Sequence, residues 1–537
     1  MLRYSPKTSP RDAISTMSYI VCLGTVDCMV AQVLQNPGLW KSFASTMKAA
    51  SDIHLDTYLQ FSMLRFALSK PRLNEPYVLL CISGFLGALA LFTTLLSWKK
   101  LSKPVENIDE TGNRRIYQDL RVLKAQHETA SILSDLVDKD GAGAWPPKAN
   151  HDSWPAALQP YKDIYLECVP LLPAAEPSTD DDINQERRGK YRSLMRKLLQ
   201  ERINVTEVQN LMTAVEAGDW SACPRDAYNG FYCCVAVCRH AYRWGTIPVV
   251  KVAQLEKTVD FPESLNVPWP YLQQSFGVEA DSGNNTANVL HNFNEKGERV
   301  YKINVGMSDV ITSSEETFFR MFYDLEVLAF PIYYDMVQSG ICFERGDKET
   351  CLQHLESMTF RVRHLLMVFY QNLTESKVSH SVWLSYVQGF QGWGVGRMID
   401  GEFVKFDGLS GNHVLFFQAL DAFLGMDRYL TDLNMDRYIP ANQRDLCLSL
   451  KKNCFRNKLD ETADSAIAEE IKKIVNHLKV FRAAHRARVM PYLEQPAPER
   501  LTMTAGKSVL ETPSTKDIKE ALKVLDDMLV VRLKQTV

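Results

Sequence analysis

His485 is the residue whose type and setting could do chemistry. In the run AIAEEIKKIVNHLKVFRAAHRARVMPYL, residues 466–493, the positions Ile471, Val475, Leu478, Phe481, His485 and Val489 recur at steps of three and four. That spacing predicts one helix with a single imidazole on its apolar stripe. A neutral imidazole so placed can bind a metal through one nitrogen, although a core histidine gives the same pattern. Ala483 and Ala484 are small, so a flat, bulky partner can approach. Arg482 falls three residues earlier on nearly the same face, where a guanidinium could hold an anionic group of whatever His485 binds. Glu469 and Glu470 lie early and Arg482, Arg486 and Arg488 late, in accord with the helix dipole, and Pro491 is expected to end the run.

Other candidate clusters are weaker. Cys233, Cys234, Cys238 and His240 lack the two-residue gap of a zinc site and have no second pair nearby, so they read as part of a buried helix. Twelve cysteines in 537 residues do not make a disulfide framework. With 46% hydrophobic and 23% charged residues the chain is globular in composition, and a formal net charge of -3 gives no pull toward nucleic acid.

The elements that position His485 follow from the rest of the chain. Residues 1–106 read as an N-terminal extension. Its run PYVLLCISGFLGALALFTTLLSW, 76–98, carries no charge and is followed by Lys99, Lys100 and Lys103. At roughly 34 Å as a helix it is long enough to cross a hydrocarbon core of about 30 Å, with the lysines at a cytoplasmic end. The weaker stretch 13–34 is interrupted by Asp27 and Gln32. Residues 107–139 read as one charged amphipathic helix, 154–177 as irregular and proline-rich, and Arg187–Arg202 as a short surface helix preceded by acids. Residues 220–244 form a long apolar helix, 315–330 and 352–373 further helices, and 517–533 a last one. The domains are thus 1–106, a small helical domain with linker at 107–305, and a large helical domain at 306–537.

Several ordered segments share a resemblance. FRAAHRARVMPYL resembles the proximal haem helix of the indoleamine 2,3-dioxygenase family, in which an arginine, two residues and the axial histidine recur in this order. AYRWG is similar to the end of an earlier helix in that family, and ETFFRMFYDLEVLAF resembles its distal helix, with Glu326 fixing the register. SHSVWLSYVQGFQGWG, FDGLSGNHVLFFQALDAFLG and NMDRYIPANQRDLCLSL follow in family order, so the likeness covers roughly residues 215–495.

The resemblance implies an all-α, indoleamine 2,3-dioxygenase-like fold holding haem b, with His485 on the iron, Arg482 on a propionate, and Asp421 as an acceptor or water anchor. It implies a haem dioxygenase that inserts O2 across the indole C2–C3 bond of tryptophan or a derived indole to give an N-formylkynurenine-type product. Phe318 and Phe319 match the paired phenylalanines that pack the indole, and Ser410 matches the loop serine near haem and substrate. Asn285 and Asn288 also align near the pocket. Two departures stand out. Phe322 replaces a distal serine, and Val387 stands where the arginine for the carboxylate of free tryptophan is expected, which favours an indole whose carboxylate is masked or absent. The competing readings are a haem-binding or haem-sensing protein without turnover, and a membrane-tethered helical scaffold. The expected partners are haem, O2, an indole and a membrane through 76–98, with no nucleic acid and a monomeric catalytic domain. The expected location is membrane-anchored with the catalytic domain cytoplasmic, or alternatively soluble and cytoplasmic.

Overall fold

Hydrophobic stripes at helical spacing become helices throughout the residues that the computed structural model describes, which are 110–174, 178–246, 251–493, 503–504, 507–508 and 518–537. The expected spans at 76–98 and 13–34 lie outside the described residues. Among the described residues no helix is long and apolar enough to cross a membrane.

Helix α1 spans Glu110–Leu123 and α2 Glu128–Asp135, the latter continued by a π-helical turn Leu136–Asp140. The single helix expected over 107–139 is therefore two. His127 makes the break: its Nδ1 accepts the N–H of Thr129 at 3.2 Å and caps α2. Helix α3, Gln159–Cys168, forms inside the stretch expected to be irregular, because Pro160 sits in its first turn, where a missing N–H costs nothing. Helix α4 spans Asp181–Arg202, longer than expected, and Asp180 caps it by accepting from the N–H groups of Asp182 and Ile183. Helix α5 is Val205–Glu216. Helix α6, Arg225–Trp244, is buried on every face from Ala227 onward and stops at Gly245, whose φ of 63° suits a residue without Cβ. Helix α7 is Pro268–Phe276.

Helix α8, Asp309–Glu344, runs through Pro331, and α9 spans Lys348–Asn372. A short antiparallel hairpin follows, β1 Gly396–Ile399 and β2 Glu402–Lys405, turned by Asp400 and Gly401 at φ of 50° and 84°. Helices α10 Leu415–Phe423, α11 Asp432–Tyr438 and α12 Ala441–Lys452 lead to α13, Ser465–Leu493. Pro491 does not end α13. It lies two residues before the end, where its missing N–H removes one bond, and the next residue is anchored by a 2.9 Å bond from the Tyr492 hydroxyl to Val378 O. The pair β3 Met503–Thr504 and β4 Lys507–Ser508 precedes α14, Ile518–Gln535.

Helix α8 packs on α9, α9 on α13, and α14 on α13. The described residues belong to one compact unit, Asp109–Val537, and one buried cluster runs through it from Leu120 to Tyr492, on both sides of residue 305. Glu326 joins its parts. Its buried carboxylate accepts from Trp145 Nε1 at 2.9 Å, the Tyr333 hydroxyl at 2.7 Å and the Phe416 N–H at 3.0 Å, tying α8 to the loop after α2 and to the first turn of α10. Burial raises its pKa against those three bonds.

Candidate functional site

Helices α8, α9, α13 and α14, with the loop before α10, enclose a cavity of about 220 Å³. One side is aromatic because the helix stripes that meet there carry Phe318 and Phe322 from α8, Phe369 from α9 and Phe481 from α13. The rings interlock edge to face: Phe318 with Phe322 at 5.2 Å, Phe322 with Phe369 at 5.5 Å, and Phe369 with Phe481 at 5.6 Å.

His485 lines this cavity one turn after Phe481, its ring stacked on that phenyl at 5.7 Å and 18°. Its Nδ1 is buried without a hydrogen-bond partner. Desolvation pushes the pKa down to about 4, so the ring is neutral at neutral pH, the form in which imidazole donates to a metal.

Arg482, one turn earlier, also lines the cavity, and its charge is already shared. Its Nη2 donates to both Asp421 oxygens, at 2.8 and 2.9 Å, and its Nη1 to Thr536 Oγ1 at 2.7 Å. Arg532 from α14 donates to the same carboxylate and to Asp427 O. Asp421, expected to serve His485 or a water, is therefore committed to two guanidiniums that reach it from α13 and α14. Two cations against one anion leave a single excess positive charge on this wall. Met528 and Leu529 complete the contribution of α14. The apolar spacing of α14 predicts an amphipathic helix, and only the fold brings it to the site. The one local signal is Arg532 three and four residues after Leu529 and Met528, on the same face.

Ser410 lines the cavity from the loop before α10. Its Oγ accepts the Asn412 N–H at 3.2 Å, while its own N–H donates to His413 Nδ1 at 3.2 Å, a capping box that fixes the loop. The loop lies close against the chain at 391–393, and only glycine fits at 408: a Cβ there would stand 2.3 Å from Gln391 O.

Four residues expected in or near the pocket do not line the cavity. Phe319 is buried beside Phe318 but turned about 100° around α8, under the Arg299 guanidinium at 4.9 Å, and it does not line the cavity. Val387 is fully buried in the core and does not line it either, whereas Gln388 does. The reason is the backbone, which is π-helical from Trp383 to Gln388 and so widens the turn by one residue. Within this wider turn it is Gln388, and not Val387, that faces the cavity. The segment is held through Asn304, whose Nδ2 donates to Tyr386 O at 2.8 Å and to Glu315 Oε2 at 2.7 Å. Asn288 is buried away from the cavity, bonded to His240, Ser282 and Gln391, and Asn285 sits behind the serine loop on Ser410 O at 3.1 Å. Cys233, Cys234, Cys238 and His240 are all interior to α6.

The arrangement defines a class: an all-α protein whose aromatic cavity offers a neutral, unpartnered histidine beside an excess positive charge, suited to a flat, metal-bearing, anionic group. The sequence profile of the indoleamine 2,3-dioxygenase family matches residues 225–524, more than half of the chain, and the chain belongs to that family. Its members are haem dioxygenases. No curated protein matches the chain. The residues present fit a haem, on the ground that His485 keeps a buried Nδ1 free of protein partners at an apolar wall.

Proposed function

We propose that this protein is a haem-dependent dioxygenase that opens the indole ring of tryptophan or a tryptophan-derived indole. The observation that carries this is the neutral imidazole of His485 facing an aromatic cavity with no protein partner on Nδ1. When bound, haem held by one imidazole supplies an open coordination position for dioxygen. In the reaction both oxygen atoms enter the product, one on C2 and one on C3, the C2–C3 bond breaks, and no external reductant is consumed. The products are an N-formyl group and an aryl ketone.

The chain's own residues contribute placement. His485 would hold the iron, and Arg482 with Arg532 would hold a propionate. Phe318 and Phe322 present apolar surface to the indole and keep water from the reacting carbons. Ser410, fixed by its capping box, offers a hydroxyl at the cavity wall. The uncharged run 76–98 supports attachment to a membrane, with the haem-binding unit on the cytoplasmic side of Lys99, Lys100 and Lys103.

The test uses purified full-length protein. A Soret band that disappears in His485→Ala, together with a formylkynurenine-type absorbance from ferrous protein, oxygen and an indole panel, is the expected result. Normal haem spectra in His485→Ala would refute the ligand assignment. Haem binding without product from any indole would leave a haem-binding protein without turnover.

A further inference from the structure

We propose that the substrate is an indole lacking a free carboxylate, and that the Gln388 amide reads its neutral polar group. The inference rests on the dioxygenase reading and adds the substrate class.

The first observation is Gln388 itself. Its side chain lines the cavity, only 8% of the residue is exposed, and among the described residues it has no hydrogen-bond partner. An amide carries one acceptor and two N–H donors, and at such burial these are ordinarily satisfied. A group left open at a cavity wall is one that a ligand can complete. The complementary ligand group is also neutral, such as a carboxamide, a lactam or a hydroxyl.

The second observation is the distribution of charge. Among the described residues the charged side chains lining the cavity are Asp421, Arg482 and Arg532, which are bound to one another. Their excess is one positive charge, and a haem brings two propionates. Charge is thus already short on the cationic side before a substrate enters. A substrate carboxylate would enter an apolar space without a counter-ion. The residue that this segment turns into the cavity, Gln388, is uncharged, while Val387 faces the core.

The experiment compares two ligands of equal shape on the haem-loaded full chain: indole-3-acetamide and indole-3-acetate. Binding is read from the perturbation of the haem absorbance, with L-tryptophan as a third ligand. The amide is expected to bind at least about tenfold more tightly than the carboxylate. Gln388→Leu is expected to weaken the amide about tenfold and leave the carboxylate unchanged, and Gln388→Arg to reverse the order and admit L-tryptophan. An intact Soret band in both variants shows that they are folded and loaded. Equal or tighter binding of acetate or L-tryptophan by the unaltered protein overturns the inference, as does Gln388→Leu with undiminished amide affinity. In those cases the dioxygenase reading stands. If neither probe binds the haem-loaded protein, the inference falls, while the dioxygenase reading is decided separately by product formation with the indole panel.

Discussion

Removing the Asp421 carboxylate tests the join between the C-terminal helix and the proposed haem site. In Asp421→Ala the guanidiniums of Arg482 and Arg532, with side chains 12% and 8% exposed, lose their shared counter-ion. A buried pair broken by deleting one partner costs about 3–5 kcal/mol, since the remaining charge stays desolvated. Here two cations are stranded at once, and the bonds from Arg482 to Thr536 and from Arg532 to Asp427 hold them in place. The expected loss is therefore at the upper end of that range, about 5 kcal/mol. Replacing all three by apolar residues (Asp421→Leu, Arg482→Met, Arg532→Met) should recover most of it, because no charge is then left in the wall. Denaturant unfolding followed by circular dichroism measures both, and limited proteolysis reports whether α14 is released. A loss below about 1 kcal/mol in Asp421→Ala, the range of an exposed ion pair, would refute the reasoning, as would a triple variant less stable than the single one.

Val387→Arg is expected to destabilise the fold by roughly 3 kcal/mol or more, since it drives a guanidinium into the fully buried core. A stable Val387→Arg protein with improved L-tryptophan turnover would show that the residue faces the substrate after all. Glu326→Leu leaves three buried donors without an acceptor, on Trp145, Tyr333 and Phe416, at roughly 1–3 kcal/mol each, whereas Glu326→Gln should cost less. Equal stability of the two variants in thermal melts would contradict this. Acidification from pH 7 to 5 is expected to lower the melting temperature. His151, His240 and His485 are held at about 4 by burial, against an ordinary 6.5, so between those values the unfolded chain binds more protons than the native one. Their contribution is complete above pH 6.5 and is lost as pH falls. Asp140 and Asp324, raised to about 6 by burial, and Glu326, also raised by burial, work in the opposite direction over part of the window, while His291, held well below its ordinary value by burial, joins the other three histidines, so four imidazoles stand against three carboxyls. A melting temperature that holds or rises on going to pH 5 would overturn this balance.

Much of the site was legible because its information is local. His485, Arg482 and Phe481 occupy one stripe of one helix, and a period of 3.6 residues is enough to put them on a common wall. Phe318 and Phe322 follow the same rule on α8. The hairpin was also legible in principle. Asp400-Gly401 between RMI and EFV is a two-residue turn signal. The break at His127 and the long capped α4 likewise have local causes, in a side chain that takes a nearby N–H.

Other features depend on packing. The residues of the Arg482–Asp421–Arg532 cluster are 61 and 111 residues apart in its two bonds, and no spacing along the chain relates them. Which of Val387 and Gln388 meets the cavity turns on a π-helical widening that Asn304 and Glu315 hold from outside the segment. The sequence by itself determined the helical stripes and the lone imidazole on one of them. Tertiary structure alone decided where the charges pair and which neighbour the cavity sees, because ion pairs and backbone register are settled between elements and not within them.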